Sequence, residues 1–168
     1  MPKNLIQRLR KDSVAEFEAA ALARFQDGIE LEARGRPLAA IYLWGYAAEM
    51  TLKAAYFRLI GFTSSRVLTF SDLRAATVRA LTLAVSWPPP HSFHYLPGWA
   101  DLIVQERIAR RIPLPLPVAA AHISHSRALH LCWRETLRYH DNRAYDFEVQ
   151  RAAQSLEWFL ANYAGLWR

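Results

Sequence analysis

The sequence has few of the residues on which disulfide-linked, metal-stabilised or membrane proteins depend. Cys132 is the only cysteine among 168 residues, which excludes an internal disulfide and a four-thiolate zinc site. No apolar run approaches the roughly 18 residues that a membrane-spanning helix needs. Residues 1–8 lack the apolar core of a signal peptide. We therefore expect a soluble cytoplasmic protein that needs no membrane, metal or cofactor.

Lysine is also scarce, although the chain is basic. The formal net charge is +6, from 21 basic and 15 acidic residues, and the only lysines are Lys3, Lys11 and Lys53. Arginine presents a planar fork of donors that suits phosphate, whereas lysine presents a point charge. A GC-rich coding sequence would give the same excess of arginine, so charge alone does not identify a ligand.

Helical periodicity dominates what remains, and strand patterns are rare. The chain is 52% hydrophobic and shows no linker, so we expect a single domain over residues 1–168. The pattern predicts an all-α fold, an up-down bundle of four to five long helices. Its long helices are predicted over residues 13–35, 37–61, 71–86, 118–138 and 145–163.

Several positions in these helices carry specific expectations. Ser13 and Glu16 have the spacing of a capping box at the start of the first helix. Gly45 and several alanines thin the second helix, so a neighbouring helix can approach it closely. Glu49 and Lys53 have the spacing of an ion pair on a helix surface. Ile29 and Phe147 are among the residues that the periodicity directs inward.

A proline-rich insertion is predicted over residues 87–117, and it contains a short amphipathic helix from Trp99 to about Arg111. Aromatic residues alternate there with arginines, which could stack bases and grip phosphates. The other interpretation is a hydrophobic cluster that pins a long loop, or a dimer contact. The residues in question are Trp87, Phe93, Tyr95, Trp99, Arg107, Arg110 and Arg111.

A line of basic side chains follows the helix predicted over 118–138. Steps of three and four residues place Arg127, His130, Arg134 and Arg138 one above another. This stripe is either a solvated face with partners on other helices or a ridge that contacts phosphate.

His140 follows Arg134 closely and lies at or beyond the end of that helix. An imidazole can exchange a proton at neutral pH, and a guanidinium beside it can stabilise a phosphorane-like charge. Such a pair would suit metal-independent RNA cleavage, in which the 2′-hydroxyl attacks the adjacent phosphate. A helix-capping or turn role for His140 is the alternative.

Two other patterns predict little chemistry. His122 and His125 lie three residues apart, but no third ligand accompanies them, and His122 belongs to the apolar stripe. His91 and His94 lie in the proline-rich segment without a metal pattern either. Nothing near Cys132 would activate its thiol, so we expect it to be inert.

Three parts of the chain form a combination that is found in one known family: the segment AAIYLWGYAAEMTLKA over 39–54, the segment WRETLRY over 133–139, and a final helix that contains alanine and tryptophan. The first looks like the second helix of HEPN domains (higher eukaryotes and prokaryotes nucleotide-binding), and the other two resemble the C-terminal half of that family. The resemblance implies an all-α bundle that usually forms a homodimer. Many members are metal-independent endoribonucleases of toxin–antitoxin or defence systems, and others are non-catalytic.

The resemblance also implies site residues. HEPN nucleases use an arginine followed four to six residues later by histidine, which corresponds to Arg134 and His140. Arg127, His130 and Arg138 would then position phosphate, and Glu49, Lys53 and Tyr139 would support the site. The sequence departs from the family in Glu135, since asparagine, aspartate or histidine often follows the arginine.

The expected function is therefore binding of RNA or nucleotide, with RNA cleavage as its catalytic form. The expected partners are RNA or nucleotide and an antitoxin or nucleotidyltransferase-like protein. The alternative is a non-catalytic interaction module that binds a partner protein through an apolar patch on the insertion.

Overall fold

The computed structural model describes residues 12–88, 93–139 and 143–168. Within these ranges the chain is all-α, as the sequence predicts. The six α-helices are α1 (Val14–Ala33), α2 (Pro37–Leu59), α3 (Phe70–Thr82), α4 (Leu96–Ala109), α5 (Leu116–Cys132) and α6 (Asp146–Trp167). A short 3₁₀ turn, Glu135–Tyr139, lies between α5 and α6. None of the described helices combines the length and apolarity needed to cross a bilayer.

Helix α2 is the centre of the bundle and packs against α1, α4 and α6. Its small side chains explain this position, because alanines let neighbouring helices approach on several sides. Ala40, Ala47, Ala48, Ala54 and Ala55 are all fully buried. The larger Ile41, Trp44 and Leu52 of the predicted stripe are buried between them.

Helix α1 begins at its predicted cap, where the Ser13 hydroxyl accepts a hydrogen bond from the Glu16 amide at 3.2 Å. It packs on α2 through Gly28, since a side chain there would overlap the Trp44 indole. The Trp44 Nε1 donates to the Phe25 carbonyl at 3.2 Å. Ile29, predicted to point inward, is exposed, because the buried position falls one residue earlier at Gly28.

The helix predicted inside the insertion lies in the core instead of beside it. Helix α4 starts three residues earlier than predicted and packs between α2 and α5. Leu96, Trp99, Leu102 and Ile103 are fully buried. The sequence pattern predicts an insertion that elaborates a complete bundle, whereas α4 supplies one of the bundle's own layers.

The two tryptophans of the insertion are buried, and Phe93 and Tyr95 are partly buried. Trp87 contacts Trp99 edge to face at 5.3 Å, and the Trp99 Nε1 donates to the Phe93 carbonyl at 2.9 Å. Arg107 is buried and donates to the Leu166 carbonyl at 3.2 Å, and Arg110 bonds to Glu106 at 2.7 Å. Of the two interpretations, the hydrophobic cluster that pins the loop describes this segment.

Helix α5 ends six residues before the predicted boundary, and Trp133 explains the difference. Trp133 has an extended backbone, with φ −127° and ψ 139°. Its indole is buried against Gly45 of α2 and donates to the Tyr42 carbonyl at 3.1 Å. The close approach predicted at Gly45 is therefore made by one side chain, and that side chain terminates α5.

Helix α6 buries one stripe against α2 and α5, formed by Val149, Ala152, Leu156, Phe159 and Leu166. The prediction that Phe147 points inward is wrong, since this side chain is 56% exposed. Phe147 precedes Val149 by two residues, which places it on the opposite side of the helix.

Candidate phosphate-binding groove and its surroundings

A surface groove of about 710 Å³ opens between the start of α2, the 3₁₀ turn and the start of α6. The 3₁₀ turn forms one wall of this groove and begins two residues after Trp133. Because the Trp133 indole is packed against Gly45, it fixes the start of this wall to α2. The lining residues are Gly35, Arg36, Pro37, Leu38, Ala39, Tyr42, Leu137, Arg138, Arg143, Ala144 and Asp146.

The first turn of α2 forms one side of this groove. Arg36 occupies the N-cap position without a side-chain cap, and Pro37 has no amide hydrogen. The amides of Leu38 and Ala39 have no acceptor among the described residues, since the first bond of the helix runs from Ala40 to Arg36. A 23-residue helix thus presents the positive end of its dipole to the groove.

Three arginines, Arg36, Arg138 and Arg143, add formal charge to the groove. Within the described part of the chain none of them is paired with a carboxylate, although Asp146 lines the same surface. The Arg138 guanidinium lies over the exposed Tyr139 ring at 4.6 Å. The groove therefore carries an excess of positive charge and donor groups aimed at solvent.

Arg134 has a different environment. Its Nη1 donates to the Trp133 carbonyl at 2.7 Å and also to the His130 carbonyl, so it caps the end of α5 while staying exposed. It is not among the residues that line the groove. His140, its predicted partner, lies outside the described residues, as does His91.

The prediction that one helix carries the whole basic stripe is wrong. Helix α5 ends at Cys132, and this end divides the stripe into two parts. Arg127 and His130 lie on α5, whereas Arg134 and Arg138 lie beyond it. Arg127 is exposed and lowers the pKa of Asp101 on α4, although burial raises that pKa overall. Arg127 thus belongs to a solvated face with a partner on another helix.

His130 is packed against Tyr95, with ring centroids 5.0 Å apart. Burial, with a smaller effect from Arg134, lowers its pKa to about 4. It is therefore neutral at pH 7 and adds no charge to the surface.

Glu49 and Lys53 form their predicted ion pair, but in the interior instead of on the surface. Their side chains are only 6% and 7% exposed. The other carboxylate oxygen of Glu49 meets the His94 Nδ1 at 2.7 Å, and this hydrogen bond raises the pKa of His94 against the opposing effect of burial. The Lys53 ammonium also lies over the Trp99 ring at 5.6 Å.

Two tyrosines connect this buried cluster with the groove along α2. Tyr46 lies edge to face with His94 at 6.1 Å and with Tyr42 at 5.0 Å, and Tyr42 lines the groove. Burial, followed by the hydrogen bond to Tyr42, raises the pKa of Tyr46. Tyr42, Tyr46, Glu49 and Lys53 thus follow one another at helical steps of three and four.

The histidine pair of α5 is part of the packing. His122 is fully buried against Phe159 and Trp158, and burial lowers its pKa to about 4. His125 stacks on Trp158 at 5.1 Å. Among the described residues no three metal-binding side chains come together.

The structure thus adds Arg36, Arg143, Tyr42 and His94 to the residues that the sequence indicates. Helical spacing could have identified Tyr42, which lies seven residues, or two helical turns, before Glu49. The others are brought in from loops or helix ends, where periodicity carries no information.

Comparison with protein-family models, with curated proteins and with solved structures finds no match to this chain. The fold is a helical bundle, and the site is a surface groove lined by arginines.

Proposed function

We propose that this is a HEPN-like helical protein that binds RNA or nucleotide. In this proposal the groove holds the phosphate groups of the bound RNA or nucleotide. The observation that carries the proposal is the meeting of Arg36, Arg138 and Arg143 at the uncapped start of α2. Guanidinium forks and orphan helix amides are both strong donors to phosphate oxygens. The net charge of +6 favours the approach of a polyanion.

Binding of a fluorescently labelled single-stranded RNA, followed by anisotropy at several salt concentrations, tests this function. Arg138→Ala and Arg143→Ala should each weaken binding and flatten the log–log salt dependence by about 0.7 for each phosphate that the variant no longer neutralises. Arg74→Ala is the matched control, because Arg74 is exposed on α3 and its removal changes the net charge equally. Equal affinities for all four proteins would refute a phosphate site in the groove.

The catalytic form of the proposal assigns the reacting pair to Arg134 and His140. Its support is the sequence resemblance, together with the exposure of Arg134 close to the 3₁₀ turn. RNA incubated with the protein in EDTA should be cleaved by the wild type and not by Arg134→Ala or His140→Ala. Absence of cleavage by the wild type, or equal cleavage by all three, would leave only the binding function.

The resemblance further implies a homodimer and an antitoxin or nucleotidyltransferase-like partner. Sedimentation of the purified chain tests the first of these. RNA binding that is absent at every salt concentration would instead favour the non-catalytic interaction module.

A further inference from the structure

An exposed pair of aromatic rings lies beside the groove at the start of α6. Tyr145 is 62% exposed and Phe147 is 56% exposed. Their rings are nearly parallel, 10° apart in orientation, with centroids separated by 5.9 Å. The two rings together form one small apolar surface, and such a surface beside a charged groove is a candidate for ligand contact.

Positive charge accompanies these rings. The Arg151 guanidinium, one turn further along α6, lies over the Phe147 ring at 5.5 Å. The nearby Glu148 carboxylate is engaged by the Tyr145 amide at 2.8 Å, which leaves it in a capping role. We call Tyr145, Phe147 and Arg151 the aromatic platform.

The aromatic platform belongs to the same segment of the chain as one wall of the groove. Arg143, Ala144 and Asp146 line the groove, whereas Tyr145 and Phe147 lie between and directly after them without lining it. A bound strand would reach the rings only by extending beyond the groove, which a ligand of several nucleotides does and a mononucleotide does not.

We propose that the aromatic platform stacks the bases of single-stranded RNA, so that the ligand is a strand of several nucleotides and not a mononucleotide. The inference rests on the proposed function of the groove. Rings alone would also fit an apolar protein surface. Arginine stacked on a ring beside an arginine-lined groove favours a ligand with flat bases and regularly spaced phosphates.

Two probes of the same length separate base stacking from phosphate binding. One is a labelled RNA of about twelve nucleotides, within the size range that single-strand binding sites cover. The other is an abasic phosphodiester strand of equal length and charge. Both affinities are measured by anisotropy for the wild type, for Tyr145→Ala/Phe147→Ala, and for Arg138→Ala. Phe70→Ala is the matched control, since Phe70 is 66% exposed on α3 and its ring lies edge to face with Phe93 at 5.3 Å instead of beside a guanidinium.

Removal of the platform rings should weaken RNA binding about tenfold or more and leave the abasic strand unchanged, since stacking acts on bases alone. Phe147→Trp should retain the affinity for RNA, and Phe70→Ala should bind both probes like the wild type. Arg138→Ala should weaken both probes.

Other results overturn the inference in distinguishable ways. If the platform variant binds both probes normally while Arg138→Ala weakens both, the groove stands and the platform does not. If the platform variant changes only the sedimentation of the protein, these rings form an interface between protein chains. If Arg138→Ala leaves both affinities unchanged, the proposed function itself fails.

Discussion

The substitution Gly45→Ala tests the packing that holds the groove in place. A Cβ at residue 45 would lie far inside van der Waals contact with the Trp133 indole, which is only 1% exposed. Alanine in a helix interior gains about 1 kcal/mol over glycine. Expulsion of a buried tryptophan approaches the cost of Trp→Ala, about 3–5 kcal/mol. The variant should therefore be less stable by about 2–4 kcal/mol.

Thermal unfolding followed by circular dichroism measures this difference. At about 2–4 °C per kcal/mol for a domain of this size, the midpoint should fall by roughly 4–16 °C. Gly165→Ala is the matched control, because no atom of the described structure lies within contact of a Cβ there, and it should be neutral or stabilising. A Gly45→Ala protein as stable as the wild type would refute the tight contact with Trp133.

Three further predictions concern titratable groups. The pKa of His94 is raised, so its bond to Glu49 should stabilise the fold fully below about pH 6.5. This stabilisation should disappear as pH rises through the folded-state pKa of His94. Urea melts of His94→Gln should lack the decline, and a pH profile identical to that of the wild type would contradict it. Burial opposes ionisation of Glu106, but Arg79 and Arg110 lower its pKa overall, so its stabilising effect should be complete above about pH 4.5 and disappear as pH falls through the lowered pKa. Urea melts of Glu106→Gln should lack that acid-dependent decrease, and a parallel decrease would argue against it. Burial raises the pKa of Cys132, so a thiol reagent at about pH 7.5 should react much more slowly with the native chain than with the unfolded one; equal rates would show an accessible thiolate.

The helical class and the buried stripe of the second helix were predictable because both depend on local periodicity. Ile41, Trp44 and Leu52 recur at helical steps, and burial follows that stripe. The side of the first and last helices that faces the core was predicted less well. Ile29 and Phe147 are apolar but exposed, since the buried position beside Ile29 is taken by Gly28, and Phe147 lies two residues before the buried Val149, on the opposite side of α6.

The site was harder to predict than the fold, because its residues meet through tertiary contacts. The pairing of Glu49 with Lys53 follows from spacing within one helix. Its burial and its bond to His94 depend on α4, whose contribution to the core was not evident from the proline-rich segment. The end of α5 likewise depends on a glycine in α2, 88 residues earlier than Trp133.

The same helix determines both the core and the geometry of the groove. One end of α2 supplies unpaired amides to the groove, and Gly45 receives the side chain that ends α5. Because Trp133 ends α5, Arg138 lies on a separate 3₁₀ turn that can face the start of α2 instead of continuing along a helix. Disrupted packing at Gly45 should therefore release Arg138 from the groove before the bundle unfolds. Phosphate binding by Gly45→Ala should accordingly weaken at temperatures where its helical content is still intact.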